Sequence, residues 1–256
     1  MYSERRGTGK PLLLVHGLGS SARTWDLVLP ALAARREVIA VDLPGFGRTP
    51  PLPGPVTVAT LTDALEEFVR AENLENAGIV GSSMGARMAL EMARRGHSGR
   101  VVALDPGGFW TDAQVRVFGA TVKASIALVR SIQPALPVLT RSRAGRTALL
   151  AQFSAAPWKL PPELVLTELR GFKTSPSIYP ALDSLVHGPR QEGAGSVLTP
   201  IVIGWGRGDR VTVPAQANRA IELFPGARVH WFDRCGHFPH WDQPAETSEL
   251  ILQATA

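Results

Sequence analysis

The chain has few of the residues that several classes of protein require. Its 256 residues include one cysteine, Cys235, which excludes an internal disulfide and any metal site built from several cysteines. It has no basic run of the kind that nucleic-acid-binding arms carry, although 27 Lys and Arg against 22 Asp and Glu give a net charge of +5. The apolar run at residues 12–15 is far too short for a membrane span or a signal peptide. We therefore expect a cytoplasmic protein with no nucleic-acid partner.

Short apolar runs alternate with helical patterns along the chain. A hydrophobic content of 45% is enough for a substantial core. Continuous apolar runs are typical of parallel strands that are covered on both faces, and they predict strands at residues 11–16, 37–41, 77–80, 100–104, 199–205 and 228–232. Helical patterns lie between them, at residues 25–35 and after Thr57 for example. This alternation predicts an α/β protein with a doubly wound, mostly parallel sheet.

The strand pattern disappears between residues 109 and 196. This stretch has the pattern of several helices separated by prolines, which predicts a helical cap (lid) inserted into a core of residues 1–108 and 197–256. Residues 111–190 contain 10 Lys and Arg against 4 Asp and Glu. We interpret this excess as the solvated face of arginine-rich helices, in preference to a site that attracts anionic substrates.

A serine lies between two glycines where the third predicted strand ends. Gly81 and Gly85 stand two residues before and after Ser83, and a helical pattern follows as far as Gly96. This order predicts a nucleophile elbow, a turn from strand to helix so tight that the positions two residues away must be nearly free of side chain. Ser83 is then the nucleophile, and Gly81 and Gly85 are expected to bear the strain of the turn.

A serine nucleophile needs a base to take its proton and a carboxylate to orient that base. Among the six histidines, His237 alone follows a predicted strand in a Gly-His loop and precedes a final helix. Asp209 follows the strand at residues 199–205 and is the predicted carboxylate, and Asp105, which also follows a strand, is the alternative. We interpret Cys235, two residues before His237, as a packing residue.

The loop after the first apolar run, His16-Gly17-Leu18-Gly19, is suited to binding an oxyanion. Its two glycines allow the backbone to approach a ligand closely, and Leu18 would supply the N–H group. His16 is expected to brace this loop. The four histidines with an expected packing or surface role are His97, His187, His230 and His240. No cluster of residues implies a metal ion or an organic cofactor, so the predicted partner is a small-molecule substrate.

Taken together, these motifs resemble the α/β-hydrolase superfamily over nearly the whole chain outside the predicted cap. The matching segments are His16-Gly17-Leu18-Gly19, Asp42-Leu43-Pro44-Gly45-Phe46-Gly47, Gly81-Ser82-Ser83-Met84-Gly85, Gly206-Arg207-Gly208-Asp209 and Gly236-His237. The resemblance implies the α/β-hydrolase fold with Ser83 as nucleophile, His237 as base and Asp209 as acid. It also implies that the backbone N–H groups of Leu18 and Met84 form the oxyanion hole.

Two features depart from the pattern of the superfamily. Only residues 2–6 precede the oxyanion strand, where members have a hairpin of two strands, so the first strand is expected to be missing. Ala86 stands where many members have another glycine. Haloalkane dehalogenases and epoxide hydrolases have an aspartate as nucleophile, and Ser83 argues against both activities.

Hydrolysis of a small to medium, partly apolar carboxylic ester through an acyl-enzyme is the predicted function. The alternative is carbon–carbon bond hydrolysis, because Ser83-Met84-Gly85 and a tryptophan, Trp241, four residues after His237 also resemble the pattern of meta-cleavage-product hydrolases. Those enzymes usually have Asn where this chain has Ser82. That reaction calls for a cation to hold the substrate carboxylate, and Arg87 is the nearest candidate in sequence. Its spacing from Glu91 favours a helix-surface ion pair instead. A ligand-binding homologue without catalysis is a third possibility, against which an intact triad argues.

Overall fold

A seven-stranded sheet forms the centre of the structure, a computed structural model that describes residues 1–195 and 199–256. Its strands are β1 (Ser3–Arg6), β2 (Pro11–Val15), β3 (Glu37–Val41), β4 (Gly78–Ser82), β5 (Val101–Leu104), β6 (Ile201–Gly206) and β7 (Arg228–Phe232). They lie in the order β1-β3-β2-β4-β5-β6-β7, and every neighbouring pair is parallel except β1 with β3. The predicted mostly parallel α/β sheet is confirmed.

The register of the sheet brings the carboxyl ends of its central strands to one edge. Ser82 pairs with Leu104, and Leu104 pairs with Gly204, so β4 and β5 end at the same level and β6 continues two residues further, to Gly206. β2 lies between β3 and β4, where the direction of winding reverses. Open α/β sheets bind their ligands beyond the carboxyl ends of the strands at such a point. The loops that hold the predicted site residues leave from this edge.

Helices cover both faces of the sheet. In the described residues they are α1 (Leu29–Ala33), α2 (Val58–Ala71), α3 (Met84–Arg94), α4 (Asp112–Ser131), α5 (Leu136–Leu139), α6 (Arg143–Leu150), α7 (Pro162–Thr174), α8 (Ile178–His187), α9 (Gln216–Leu223), α10 (Pro239–Asp242) and α11 (Pro244–Ala254). Side chains of one strand point alternately to the two faces, so Leu13 and Val15 join one apolar cluster while Leu12 and Leu14 join the other. Both faces of the sheet are therefore buried.

The helix that follows Thr57 begins as the sequence predicts. The Thr57 side chain accepts a hydrogen bond from the Thr60 N–H, and the Thr60 side chain accepts one from the Thr57 N–H, which is a complete capping box. Leu61 and Leu65 on this helix are fully buried. Local capping and an apolar face together account for α2.

The helix predicted at residues 25–35 is longer than the helix that the structure has there. The structure has a 3-10 helix at Ala22–Trp25 and the short α1 at Leu29–Ala33 in its place. Pro30 lies in the first turn of α1. Because proline has no N–H and its ring crowds the preceding turn, a helix can begin beside Pro30 but cannot run through it from Trp25.

The amino-terminal side of the sheet agrees with the expected departure from the hydrolase pattern. Among the described residues one strand, β1, precedes β2 in sequence. It runs antiparallel to β3, with Ser3 paired to Val41. The sheet thus has one strand before β2 at this edge, antiparallel to β3, where the usual hairpin would provide two strands.

Helices α4 to α8 lie between β5 and β6, over the part of the chain in which the sequence predicts helices and no strand. They rest on the carboxyl edge, where α7 packs on the 3-10 helix at Ala22–Trp25. The predicted boundary between residues 196 and 197 falls on positions 196–198, outside the described residues. No helix in the described ranges is long and apolar enough to cross a membrane.

Replacing Gly85 by alanine is expected to destabilise the fold. A Cβ atom at Gly85 would lie 2.3 Å from the Val15 carbonyl oxygen and 2.5 Å from the His16 carbonyl oxygen, both in backbone that has no room to move. We expect the free energy of unfolding to fall by at least about 2 kcal/mol, measured by urea denaturation. Gly54→Ala is the control, because no atom lies within 4 Å of its new Cβ. An equal stability of the two variants would show that the elbow tolerates a side chain at residue 85.

Candidate active site

Ser83 occupies the sharp turn between β4 and α3. Its backbone has φ 55° and ψ −113°, a conformation that is strained for any residue with a side chain. Hydrogen bonds hold the turn, since the Ser83 N–H donates to the Leu104 carbonyl and the Ser83 carbonyl accepts from the Arg87 and Gly107 N–H groups. The strain therefore lies at Ser83 itself, and the expectation that Gly81 and Gly85 bear it is wrong.

The two glycines of the elbow provide space instead. A Cβ atom at Gly81 would lie 2.2 Å from the Gly85 carbonyl oxygen. β4 and α3 approach each other so closely that neither position can hold a side chain. Because of this close approach the side chain of Ser83 extends beyond the carboxyl edge of the sheet, where the other loops meet.

The side chains of Ser83, His237 and Asp209 form one continuous chain of hydrogen bonds. His237 Nε2 lies 2.8 Å from Ser83 Oγ, and His237 Nδ1 lies 2.8 Å from Asp209 Oδ2. His237 is 1% exposed, and its ring packs against Phe238 with 4.8 Å between centroids and an angle of 54° between the ring planes. The three predicted residues come from loops after three different strands, and the structure brings them together.

Asp209 accepts hydrogen bonds from three groups besides His237. Its Oδ1 atom accepts from the Val211 and Thr212 N–H groups at 2.7 and 3.1 Å, and its Oδ2 atom accepts from the Thr212 hydroxyl at 2.6 Å. Burial by itself would raise the pKa of Asp209, but His237 and these hydrogen bonds lower it. Asp209 is consequently held as a carboxylate next to the imidazole.

Asp105, the alternative carboxylate, lies beside this chain of hydrogen bonds without contacting the imidazole. Its Oδ1 atom accepts from the Gly206 N–H at 2.9 Å, and its Oδ2 atom has no hydrogen-bond partner in the part of the chain that the structure describes. Burial, and then the negative charge of Asp209, raise the pKa of Asp105 well above its usual range. Burial and the neighbouring Asp209 therefore favour the neutral form of Asp105.

The loop after β2 lies against the elbow. A Cβ atom at Gly17 would lie 3.1 Å from Ser83 Cβ and 3.7 Å from Ser83 Oγ, so the Gly17–Leu18 backbone passes close to the serine. His16 Nδ1 is bonded to the Gly17 carbonyl at 2.7 Å, and its Nε2 atom accepts from the Leu43 N–H at 3.0 Å. His16 braces this loop, as the sequence predicts. Burial lowers the pKa of its ring, which favours the neutral form that these two bonds require.

An apolar cavity opens between this cluster and the helices α4 to α8. Ser83, His237 and Leu18 line it together with Trp241, whose indole N–H donates to Thr24. The other lining residues are Ser20, Phe118, Val122, Ile126, Leu150, Phe153, Glu168, Leu169, Phe172, Ile178, Leu185, Val211 and Phe238. Ser83 therefore faces a largely apolar chamber of about 50 Å³, which in this conformation admits a small group.

Comparison with known proteins assigns this chain to a family. A model of the alpha/beta hydrolase family matches residues 12–250. The chain belongs to that family. The 2-hydroxy-6-oxononadienedioate/2-hydroxy-6-oxononatrienedioate hydrolase 1 of Dechloromonas aromatica is 28% identical over 96% of this chain and 87% of its own length. The family and this relative make the protein a hydrolase.

Solved structures of similar fold include hydrolases of two kinds. A meta-cleavage product hydrolase from Pseudomonas fluorescens is 26% identical, with a TM-score of 0.72 over 98% of this chain and 92% of that chain. An esterase from Thermogutta terrifontis is 20% identical and superposes with a TM-score of 0.75 over 98% of this chain and 91% of that chain. The second likeness is one of fold alone. Both kinds of structure share the architecture of this hydrolase.

Two residues near Ser83 were not predicted from the sequence of the hydrolase. Thr212 donates its hydroxyl to Asp209, three residues earlier, and lies 3.3 Å from His237 Nδ1. Glu168 lines the cavity from α7 and is 6% exposed. A signal for Glu168 was available, because it stands one turn after Leu164 and next to Leu169 on the apolar face of a helix, where a carboxylate is out of place.

The predicted ion pair between Arg87 and Glu91 is wrong. Glu91 instead pairs with Arg94 and Arg95. Arg87 is 5% exposed and donates to the Pro189 carbonyl at 2.5 Å, so it holds the chain after α8 against α3. Burial lowers the pKa of Arg87 to about 10, which leaves it charged at neutral pH. Arg87 is not among the residues that line the cavity.

The remaining candidates of the hydrolase have packing or surface roles. Cys235 is buried, and burial raises the pKa of its thiol far above the usual range, so the thiol stays protonated. His240 is fully buried against Trp25, and burial together with the charge of His237 lowers its pKa to about 3. His187 and His230 form contacts with acidic side chains near the surface, and His97 contacts the Ala77 carbonyl.

Asp105, Asp209 and His237 are close enough to share an ion, because one ligand atom from each lies within 4.8 Å of the others. Most of their ligand atoms already have hydrogen-bond partners. His237 Nδ1 is bonded to Asp209, both oxygens of Asp209 accept from residues 211 and 212, and Asp105 accepts from Gly206. The geometry is that of an acid–base cluster, and the expectation that the hydrolase needs no metal stays a prediction.

Replacing Asp105 by asparagine is expected to change how stability depends on pH. The pKa of Asp105 is higher in the folded state than its ordinary value of 3.8, so the stability from its neutral form is complete below about pH 4 and is lost as pH rises through the folded-state value. Asparagine does not ionise and keeps the acceptor for Gly206. We expect the free energy of unfolding of Asp105→Asn, relative to the wild type, to increase from pH 5 to pH 9 in urea titrations.

The exposed Asp233→Asn is the control for the Asp105 experiment. A difference between wild type and Asp105→Asn that is the same at every pH would contradict a neutral Asp105 in the folded hydrolase.

Proposed function

We propose that this protein is a serine hydrolase that cleaves a small to medium, partly apolar carboxylic ester through an acyl-enzyme. The observation that carries the proposal is the chain of hydrogen bonds from Asp209 through His237 to Ser83, which ends at an apolar cavity. A binding protein without catalysis has no use for a base aimed at a serine or for a carboxylate that holds the base. The proposed partner is a small-molecule substrate in the cytoplasm, and the proposal involves no cofactor.

Each residue of the proposed triad has a defined role in acylation. Ser83 Oγ attacks the ester carbonyl while His237 Nε2 takes the serine proton. Asp209 keeps the other ring proton on Nδ1 and stabilises the imidazolium that forms. His237 then donates the proton to the leaving alkoxide, and the acyl group stays on Ser83. Water, activated by His237, attacks the acyl-enzyme and releases the acid.

The proposed oxyanion hole consists of the N–H groups of Leu18 and Met84. Leu18 lines the cavity next to Ser83. Met84 is the first residue of α3, and the first N–H groups of a helix have no partner within that helix. Such donors stabilise the negative charge that develops on the carbonyl oxygen, and one donor commonly contributes a factor of about 100 to 1,000 in rate.

Helices α4 to α8 are the proposed cap, with boundaries near residues 109 and 196. They contribute most of the apolar side chains of the cavity. An apolar wall excludes water from the acyl-enzyme, which suits a substrate whose acyl or alcohol part is itself apolar.

Carbon–carbon hydrolysis is the second candidate, and the similarity to meta-cleavage product hydrolases favours it. The relative from Dechloromonas aromatica is named for dienedioates, which carry carboxylates. In this chain the residues that line the described cavity include one carboxyl group, Glu168, and no Arg or Lys. A substrate carboxylate would meet no positive charge there. This charge pattern favours an ester that carries no carboxylate.

Ser83→Ala is expected to abolish turnover while the fold remains. We expect kcat for para-nitrophenyl acetate to fall at least about 1,000-fold, as in other triads that lose the nucleophile. Circular dichroism should match that of the wild type. The control is Ser82→Ala, because the Ser82 hydroxyl is buried and has no hydrogen-bond partner in the described structure, so its loss should leave turnover nearly unchanged. A fluorophosphonate should label Ser83 alone, and a Ser83→Ala variant with more than a tenth of the wild-type rate would end the triad assignment.

Arg87→Gln separates the two candidate reactions. Because Arg87 lies outside the cavity, we expect turnover of para-nitrophenyl acetate to stay within about threefold of wild type, a change of about 0.7 kcal/mol in barrier. Stability should fall through loss of the bond to Pro189. Wild-type kcat/KM for a 2-hydroxy-6-oxodienoate should be at least about 100-fold below that for the ester. Efficient turnover of the dienoate, lost about 100-fold in Arg87→Gln but not in Arg94→Gln, would favour the carbon–carbon hydrolase.

A further inference from the structure

Glu168 is an incompletely bonded acid in the wall of an otherwise apolar chamber. One carboxyl oxygen, Oε2, accepts from the Ser20 hydroxyl at 2.7 Å. The other, Oε1, is buried and has no hydrogen-bond partner among the residues that the structure describes. An orphaned buried acceptor costs roughly 1–3 kcal/mol, and natural proteins tolerate such groups mainly where they have a use. Glu168 lines the same cavity as Ser83 and His237.

We propose that Glu168 is a specificity residue that binds an ammonium group on the substrate, so that the hydrolase acts on amine-bearing esters. Oε1 would accept a hydrogen bond from the ammonium. This assignment rests on the proposed function, because it names the substrate class of that same cavity.

The charges around Glu168 favour a cation over an anion. Glu168 is the sole acidic or basic residue in the lining apart from His237. Asp26 and Asp42, from the core below α7, add to the negative potential at Glu168. Arg23 is paired with Asp26. Arg170, on the same helix as Glu168, is exposed in a surface groove that Ser20 and Glu168 also line, outside the cavity. An anionic substrate would lie beside the Glu168 carboxyl group and within the negative potential of Asp26 and Asp42, and the cavity lining has no Arg or Lys to compensate.

The aromatic side chains of the chamber support the same choice. A cation is attracted to the face of an aromatic ring, and the attraction grows when the pair is shielded from water. Five aromatic side chains line the cavity, namely Phe118, Phe153, Phe172, Phe238 and Trp241. One carboxyl group among aromatic rings suits an ammonium better than it suits a hydroxyl, which gains little from the rings.

Binding of a cation at Glu168 has a distinctive proton balance. Burial raises the pKa of Glu168 to about 8, with smaller contributions from Asp26 and Asp42, so at pH 7 the free enzyme holds the carboxyl mostly protonated. An ammonium pairs with the carboxylate form. Its binding at pH 7 should therefore release up to about 0.9 proton to the buffer, whereas a neutral ligand should release none.

The test measures binding of three probes of equal length by isothermal titration calorimetry, in two buffers of different ionisation enthalpy. The probes are n-butylammonium, 1-butanol and butanoate. For the wild type we expect butylammonium to bind at least about 10-fold more tightly than either of the others, with proton release. Glu168→Gln should lose this preference and the proton release. Glu163→Gln is the matched control, because Glu163 is an exposed carboxylate on the same helix.

Three results would overturn the proposal. These are butanol or butanoate binding as tightly as butylammonium, preference for butylammonium retained in Glu168→Gln, and binding without proton release at pH 7. Circular dichroism and thermal unfolding check that Glu168→Gln is folded, and the wild-type proton balance needs no variant at all. Because the readout is binding, it is independent of turnover. If the wild type bound butylammonium as expected but did not hydrolyse esters, only the proposed reaction would be contradicted.

Discussion

The arrangement at the carboxyl edge depends on the buried hydrogen bond between His237 Nδ1 and Asp209 Oδ2, 2.8 Å long. An imidazole with both nitrogens buried must have partners for both, and the nitrogen that Asp209 engages determines which nitrogen is left for Ser83. Asp209 in turn is kept ionised by N–H groups of its own loop and by Thr212. The orientation of the proposed base therefore depends on the short turn after β6 that contains Asp209 and Thr212, far in sequence from Ser83.

The raised pKa of Asp105 complements this arrangement. Two carboxyl groups that lie so close cannot both ionise cheaply in a buried site, and the one that has more donors keeps the charge. Asp209 has the donors, while Asp105 has Gly206 alone. The same strand ends could have supported either carboxylate, and the contact with His237, together with the local hydrogen bonds, favours the charge on Asp209.

In the segment of helices α4 to α8, basic side chains lie mostly at the surface, whereas an acidic side chain lies in the interior. Residues 111–190 carry 10 Lys and Arg against 4 Asp and Glu, and most of the basic side chains are exposed, including Arg116, Lys123 and Arg143. The buried Arg146 donates to backbone carbonyls. The acidic Glu168 alone faces the cavity. Most basic side chains of this stretch therefore face solvent. The net charge of the stretch does not indicate which charge a ligand in the cavity would carry.

The sequence by itself determined the sheet and the identity of the residues at its edge. Apolar runs, glycine spacing and the order of Ser83, Asp209 and His237 are local signals, because each reflects the backbone and immediate surroundings of a few consecutive residues. Pro30, equally local, was available in the sequence and explains the error at residues 25–35. Only the tertiary structure decided which groups lie together. Arg87 donates to the Pro189 carbonyl, burial next to Asp209 favours the neutral form of Asp105, and Glu168 lines the cavity. Those outcomes depend on how helices far apart in the chain pack on the sheet, and neither hydrophobic period nor motif spacing encodes that packing.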